Sequence, residues 1–232
     1  MKYINQFKKY FEVSEGFNDI KFQDMAIKIE PDVFSPYIFT DSSWFALEVY
    51  KLIKQQEKRS LRFLEIGCGC GIVSMLATKA GAKVTATDRY QEAVENTKQN
   101  LWNNKLYYED IFISDVFDKV NSKFDIVFWN HPFHSQNIPK AKKNIWLTCF
   151  DPGYKSLDKY LQQGLDKLRP GGKLLLGTSK SANTDLQQEL FKKYRLKHKI
   201  LKSSDTVKVI NNSAELRSAE ETIYQIWQIK KA

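Results

Sequence analysis

The sequence predicts an α/β fold, a doubly wound, seven-stranded and mostly parallel sheet of the Rossmann-like kind. Three observations predict it. From residue 61 onward, apolar β-rich runs alternate with helical patterns, the order that lays helices on both faces of a parallel sheet. The first run passes into three alternating glycines, Gly67, Gly69 and Gly71, and then into an apolar helical pattern. At 232 residues the chain is the size of one such domain, long enough to bury a sizeable core.

Residues 1–60 precede the alternation. Within them, Asp41 or Ser42-Ser43 is placed to cap a helix that runs to about Gln56. We therefore divide the chain into an N-terminal extension of short helical or mixed structure, residues 1–42, and a domain, residues 43–232. The first strand, 61–66, is almost continuously apolar, as a strand buried on both faces must be. A helix over 71–80 follows the glycines. The run 83–88 alternates and ends in Asp88, and a helix over 90–103 comes next. Strands are expected at 109–114 and 124–129, then a helix over 155–168. Arg169-Pro170-Gly171-Gly172 closes that helix, because Pro and paired Gly cannot continue one, and opens a strand over 173–178. A helix over 183–193 and strands over 196–202 and 221–229 complete the pattern.

Composition narrows the function classes. The first 20 residues carry Lys2, Lys8, Lys9, Glu12, Glu15 and Asp19, which leaves no apolar segment of a secretory signal. No run approaches the roughly 18 to 20 apolar residues of a membrane span. We expect a soluble, cytoplasmic protein with no membrane partner. The cysteines are three, Cys68, Cys70 and Cys149, an odd number that argues against a disulfide scaffold. Cys68-x-Cys70 has no matching Cys/His cluster nearby, so no metal is expected. The net charge of +9 suits an anionic partner such as RNA, although the basic residues are spread along the chain, with the densest stretches at 140–143 and 192–199.

A strand, a Gly-rich turn and a helix N-terminus together offer backbone N–H groups to a ligand. A dinucleotide fingerprint would need its third glycine at position 72, where Ile72 stands. The observed spacing, Glu65-x-Gly67-x-Gly69-x-Gly71, resembles motif I of the class I S-adenosylmethionine (AdoMet)-dependent methyltransferases. Leu168-Arg169-Pro170-Gly171-Gly172-Lys173 is a further feature of that family. The resemblance implies AdoMet as cofactor, held by Gly67, Cys68, Gly69 and Gly71, and an antiparallel last strand. Asp88 stands about 20 residues past the first glycine, where nucleotide-binding α/β proteins put an acid on ribose hydroxyls; an N-cap is its other reading. Arg89 follows it. By resemblance, Asp115 meets the adenine amino group and Val116 packs on the ring. Thr40, after a Pro-containing segment, is a candidate contact of the methionine carboxylate. Glu65 bonds either the ligand or the loop itself.

The apolar run Phe124–Trp129 ends in Asn130-His131-Pro132-Phe133, and carboxyl ends of parallel strands form the ligand crevice. The tetrapeptide resembles the Asn-Pro-Pro-Tyr/Phe motif of amino-methyltransferases, among them DNA adenine, rRNA guanine and release-factor glutamine methyltransferases. The resemblance gives Asn130 and the backbone carbonyl of His131 as acceptors for the target NH₂, and Phe133 as the ring that stacks on its planar group. Two acceptors favour the developing sp³, positively charged nitrogen over the planar ground state. His131 stands where the motif has its first proline, while Pro132 holds it extended. Other readings of this stretch are His131 or His134 as a general base, and a strand-end turn without chemistry. Asp151-Pro152-Gly153-Tyr154, beyond a basic loop containing Lys140, Lys142, Lys143 and Trp146, resembles the substrate side of methyltransferase small domain proteins. The lysines there would meet RNA phosphate or line a solvated loop. The expectation is an AdoMet-dependent N-methyltransferase acting on an RNA base or a protein glutamine, with a small heteroaromatic acceptor, a non-catalytic AdoMet-binding protein and an oxidoreductase as alternatives.

Overall fold

The computed structural model describes residues 19–37, 39–57, 60–137, 146–208 and 221–232. The basic loop lysines Lys140, Lys142 and Lys143 lie outside the described residues. The described residues open with a hairpin, β1 (Asp19–Phe22) and β2 (Met25–Lys28), followed by helix α1 (Thr40–Lys54). The alternation then runs β3 (Arg62–Ile66), α2 (Ile72–Lys79), β4 (Lys83–Asp88), α3 (Gln91–Asn103), β5 (Asp110–Ile113) and β6 (Phe124–Asn130). After a short helix α4 (Trp146–Cys149) come α5 (Lys155–Gln163), β7 (Leu168–Ser179), α6 (Thr184–Lys193) and β8 (Leu196–Ser203). Two residues each of β9 (Val207–Lys208) and β10 (Glu221–Thr222) pair with one another, and β11 (Tyr224–Lys231) ends the fold.

Seven strands form the main sheet in the order β5-β4-β3-β6-β7-β11-β8. All pairs from β5 to β7 are parallel, and β11 runs antiparallel to both neighbours. The chain winds outward from β3 through β4 to β5, then returns to β6 on the other side of β3. Between β3 and β6 lies the switch point, where doubly wound sheets open a crevice at their carboxyl ends.

Strand alternation splits the core in two. Phe63, Val84, Ile126, Phe128, Leu175 and Ile226 pack against α1, α2 and α3. Leu64, Ile66, Val127, Trp129, Leu174 and Trp227 pack against α5 and α6. Successive residues of β3 and β6 thus point to opposite, equally buried faces, which is why these strands read as largely apolar rather than alternating.

Several local expectations change. Among its described residues, the N-terminal extension holds a hairpin and the first turn of α1, which begins at Thr40. Asp41 and Ser42-Ser43 lie inside α1, whose N-cap is Phe39 with no side-chain capping bond. Helix α5 ends at Gln163, short of 168, and gives way to a 3₁₀ turn over Gly164–Lys167. Gly164 closes there against Leu174, where a Cβ would come within 2.7 Å of the side chain. Arg169–Gly172 do not precede the strand but bulge within it, since Phe124 pairs with Leu168 and Ile126 already pairs with Lys173.

The hairpin is fastened by asparagines. Asn96, Asn100 and Asn104 follow one face of α3 and its C-cap. Asn96 accepts from Glu30 N at 3.1 Å and donates to Lys28 O at 2.9 Å. Asn100 accepts from Lys28 N at 2.9 Å and donates to Lys28 O at 2.7 Å. Asn104 accepts from Ala26 N at 3.1 Å and donates to Ala26 O at 2.7 Å. Four helical residues rise about 6.0 Å and two strand residues about 6.6 Å, so side-chain amides at i, i+4 and i+8 stand in for a neighbouring strand. The segment after β2 is thereby carried to the carboxyl end of the sheet.

Candidate active site

The glycine loop is a turn whose carbonyls from Cys68 to Gly71 are tied back into the protein. Gly71 N donates to Cys68 O at 2.8 Å and Met75 N to Gly71 O at 2.8 Å. Thr97 Oγ1 donates to Gly69 O at 2.9 Å, and Asn100 Nδ2 to Cys70 O at 2.8 Å. Gly67 has φ +67°, and a Cβ on it would lie 3.0 Å from Trp129 Nε1. Gly71 has φ +85°, and its Cβ would meet Thr97 at 2.9 Å. Only glycine meets both demands. Gly67, Cys68 and Gly69 line a pocket at the switch point. Gly71 does not line it: its glycine is required by the packing of α2 on α3.

Two buried carboxyls flank the loop. Asp88, at the end of β4, accepts from Gly69 N and from Tyr90 N, both at 3.1 Å. Its two readings from sequence therefore meet in one residue, which stitches loop to strand and still lines the pocket. Burial raises its carboxyl above the usual range against those bonds. Glu65, 3 % exposed, accepts a short bond from Ser74 Oγ. Burial pushes it up to about 8, so it keeps its proton at neutral pH.

At the rim, Asp115 is half-exposed and faces two cations, Lys159 Nζ at 3.0 Å and Arg89 at 3.6 Å. Val116 is buried with φ +52°, a left-handed conformation that a β-branched residue rarely takes. Ser114 holds that turn by donating to Val116 O and accepting from Lys119 N.

The reacting end is built on β6. Asn130 Nδ2 donates to Asp41 Oδ2 at 2.8 Å, while Asn130 Oδ1 is buried without a hydrogen-bond partner. His131 is 1 % exposed and lies among aromatic rings, edge-on to Phe133 and Tyr154. Its Nε2 is 3.3 Å from Thr178 Oγ1 and 3.1 Å from Gln187 Nε2. Burial pushes His131 down to about 3 and His134 down to about 4, so neither imidazole is a useful proton acceptor near neutral pH. Pro132 and Phe133 line the pocket, and Tyr154 OH donates to the carbonyl of Phe133. Tyr154 itself sits at φ +51° after Gly153, and Asp151 caps α5 by accepting from Ser156 N and Leu157 N. The Asp-Pro-Gly-Tyr stretch thus buttresses the backbone of the tetrapeptide.

Thr40 takes a different place from the expected one. Its hydroxyl lies 3.1 Å from Tyr224 OH and it is not among the residues lining the pocket. Its neighbours Asp41 and Ser42 are. The wall also includes Asp32, Val33, Phe34 and Phe39 from the segment after the hairpin, and Thr222 and Tyr224 from near the end of the chain. Phe34 and Phe39 stack at 4.4 Å. Sequence reasoning missed Asp41, Trp129 and Tyr224. Asp41 was read only as a helix cap, Trp129 as strand core, and Tyr224 enters from the distant end of the chain.

Comparison with known proteins agrees with this geometry. The methyltransferase small domain family profile matches residues 24–209. The chain is 30 % identical over 151 residues to ribosomal RNA small subunit methyltransferase C of Haemophilus influenzae, covering 64 % of this chain and 40 % of that one. It is 27 % identical over 166 residues to release factor glutamine methyltransferase of Lactococcus lactis, covering 67 % and 59 %. It spans about half the length of the curated relatives it matches first. In fold it resembles a Thermus thermophilus 16S rRNA N2 G1207 methyltransferase, with TM-score 0.61, 20 % identity, and coverage of 92 % of this chain and 50 % of that one.

Proposed function

This chain belongs to the methyltransferase small domain family, and from that premise we propose that it is an AdoMet-dependent methyltransferase that methylates a planar amino or amide nitrogen. The observation that carries the reading is Asn130 Oδ1, a buried acceptor without a partner at the carboxyl end of β6, in the same pocket as the glycine loop. A buried polar atom is normally bonded, and an N–H donor brought by a ligand would satisfy this one.

The residues present fit the cofactor. Gly67 and Gly69 leave their side of the pocket without a Cβ, and carboxyls at the ends of β3 and β4 face it. Gly67, Cys68 and Gly69 would pass along the methionine end, Asp88 and Glu65 would meet hydroxyl groups, and Asp115, Arg89 and Val116 would border the adenine. Bound AdoMet supplies an electrophilic methyl group. The protein's share is positioning. Asn130 Oδ1 and the carbonyl of His131 accept from the target NH₂ and draw its lone pair out of conjugation. Phe133, its carbonyl fixed by Tyr154, offers a stacking face at near-attack distance.

For the acceptor we favour an RNA base. Lys197 lies directly across from Lys230 in the β8–β11 register, with Lys199 two residues along the same face. Like charges so placed repel, and phosphate would relieve them. A relative that is a glutamine methyltransferase keeps protein glutamine as the second reading. The test is incubation of the full chain with tritiated AdoMet and separated RNA, protein and small-molecule fractions of a cell extract. Label should enter RNA, and Asn130→Ala should lower kcat by about 10² to 10³. Label in protein would move the acceptor to glutamine. An Asn130→Ala enzyme as fast as wild type would overturn the mechanism.

A further inference from the structure

We propose that Asp41 is a positioning residue that decides which end of the Asn130 amide faces the methyl acceptor. The inference rests on the amino-group reading above and adds to it a residue 89 positions away in the chain. A side-chain amide carries an acceptor at one end and two donors at the other in nearly the same shape. Turned with its NH₂ toward an amino acceptor, Asn130 would oppose donor to donor. An ionised carboxylate has only lone pairs to offer. Asn130 Nδ2 donates to Asp41 Oδ2 at 2.8 Å, and Oδ1 is consequently the end left unbonded.

Asp41 is itself fixed. It is 6 % exposed, the second residue of α1, and receives a backbone N–H from Ser42. A helix N-terminus favours an anion there. The pairing joins α1 to β6 across the pocket. It also explains why Asp41 lies within the helix and leaves the capping position to Phe39.

Its protonation state sets the direction of the amide. Burial pushes the Asp41 carboxyl up to about 6. Among the described residues, the titratable groups that face it are the Cys149 thiol and the Tyr224 phenol. Both are pushed up by burial and stay protonated near neutral pH. Above about pH 6 the carboxylate holds Nδ2 toward itself. Below it, the acid O–H can donate to Oδ1 instead, and the amide loses its preferred direction.

The test labels asparagine with ¹⁵N and follows the Asn130 side-chain NH₂ signal, identified by its loss in Asn130→Ala. In wild type that signal should shift with a midpoint near pH 6; in Asp41→Asn no shift with that midpoint should remain. In parallel, transfer of label to deproteinised total RNA is measured against pH. Asp41→Asn should lower kcat by about 10- to 100-fold and lose the acid limb, with KM changing by less than about threefold. AdoMet affinity by calorimetry should stay within about twofold. An Asn130 signal that does not follow pH near 6, or an Asp41→Asn enzyme with wild-type kcat and an intact acid limb, overturns the proposal. If wild type labels no fraction, the methyl-transfer reading fails on its own, while the amide titration still decides the role of Asp41. That titration uses the wild-type protein, so a variant that does not fold leaves it intact.

Discussion

Glu65 illustrates how a single buried side chain sets a pH dependence. Its carboxyl, held by Ser74 Oγ, is pushed by burial from 4.5 to about 8. A raised carboxyl stabilises the fold while it keeps its proton, so its contribution is complete below pH 4.5 and is lost as pH climbs through about 8. Glu65→Gln keeps an acceptor for Ser74 and removes the titration. Thermal melts of the ligand-free protein should show the variant close to wild type at pH 5 and more stable by a few kcal/mol at pH 9; equal melting of the two proteins at pH 9 would rule this out. From sequence, Glu65 is an acid at the end of the first strand with two readings open, the ligand or the loop. Burial and the partner on α2, nine residues on, are facts of packing. The same holds for Thr40 and Asp41, adjacent in the chain, of which only the second reaches the pocket. The helical turn that starts at Thr40 sends successive side chains about 100° apart, one toward Tyr224 and the next toward Asn130.

At the scale of elements, the three asparagines of α3 act as a strand made of side chains. Asn100 is the central one. It is fully buried and bonds both backbone polar groups of Lys28 and the carbonyl of Cys70. It therefore links the hairpin to the glycine loop. Asn100→Ala would leave these groups unpaired at about 1 to 3 kcal/mol each where buried. Urea unfolding should show a loss of about 2 to 4 kcal/mol, and hydrogen exchange should accelerate at the Lys28 amide while the amides of β3 keep their protection. Asn104→Ala, whose bonds to Ala26 lie at the exposed end of the ladder, should cost under about 1 kcal/mol. Equal costs at the two positions would show that the ladder does not transmit through its centre. The spacing of Asn96, Asn100 and Asn104 is visible in the sequence, but its meaning is not. Polar residues at i and i+4 ordinarily mark a solvated helix face, and only the arrival of β2 makes this face an inner one.

Across the whole molecule, charge and topology act together. Lys197, Lys199 and Lys230 lie on the edge pair β8–β11, toward the end of the sheet away from Tyr224 and the pocket. If RNA phosphates run along this edge, Lys197→Glu with Lys230→Glu should weaken filter binding of total RNA at least tenfold at 50 mM salt and flatten its salt dependence. AdoMet affinity should be unaffected, since neither residue lines the pocket; unchanged RNA binding in the double variant would remove this edge from the binding face. The fold class was legible because periodicity is local: apolar runs such as Phe63–Leu64 and Ile126–Trp129 must be buried on both faces wherever they go. The glycine loop was legible because φ values near +67° and +85°, with no room for a Cβ at either position, leave glycine as the residue that fits. The tetrapeptide at Asn130 was legible because it is contiguous. By itself, then, the sequence determined the elements, the parallel sheet and the two motifs, each encoded within a dozen residues. The tertiary structure alone decided which acid faces Asn130, which protons stay on Glu65 and Asp41, and what the asparagines of α3 bind. Burial and long-range pairing set those, and neither is a property of any short stretch of chain.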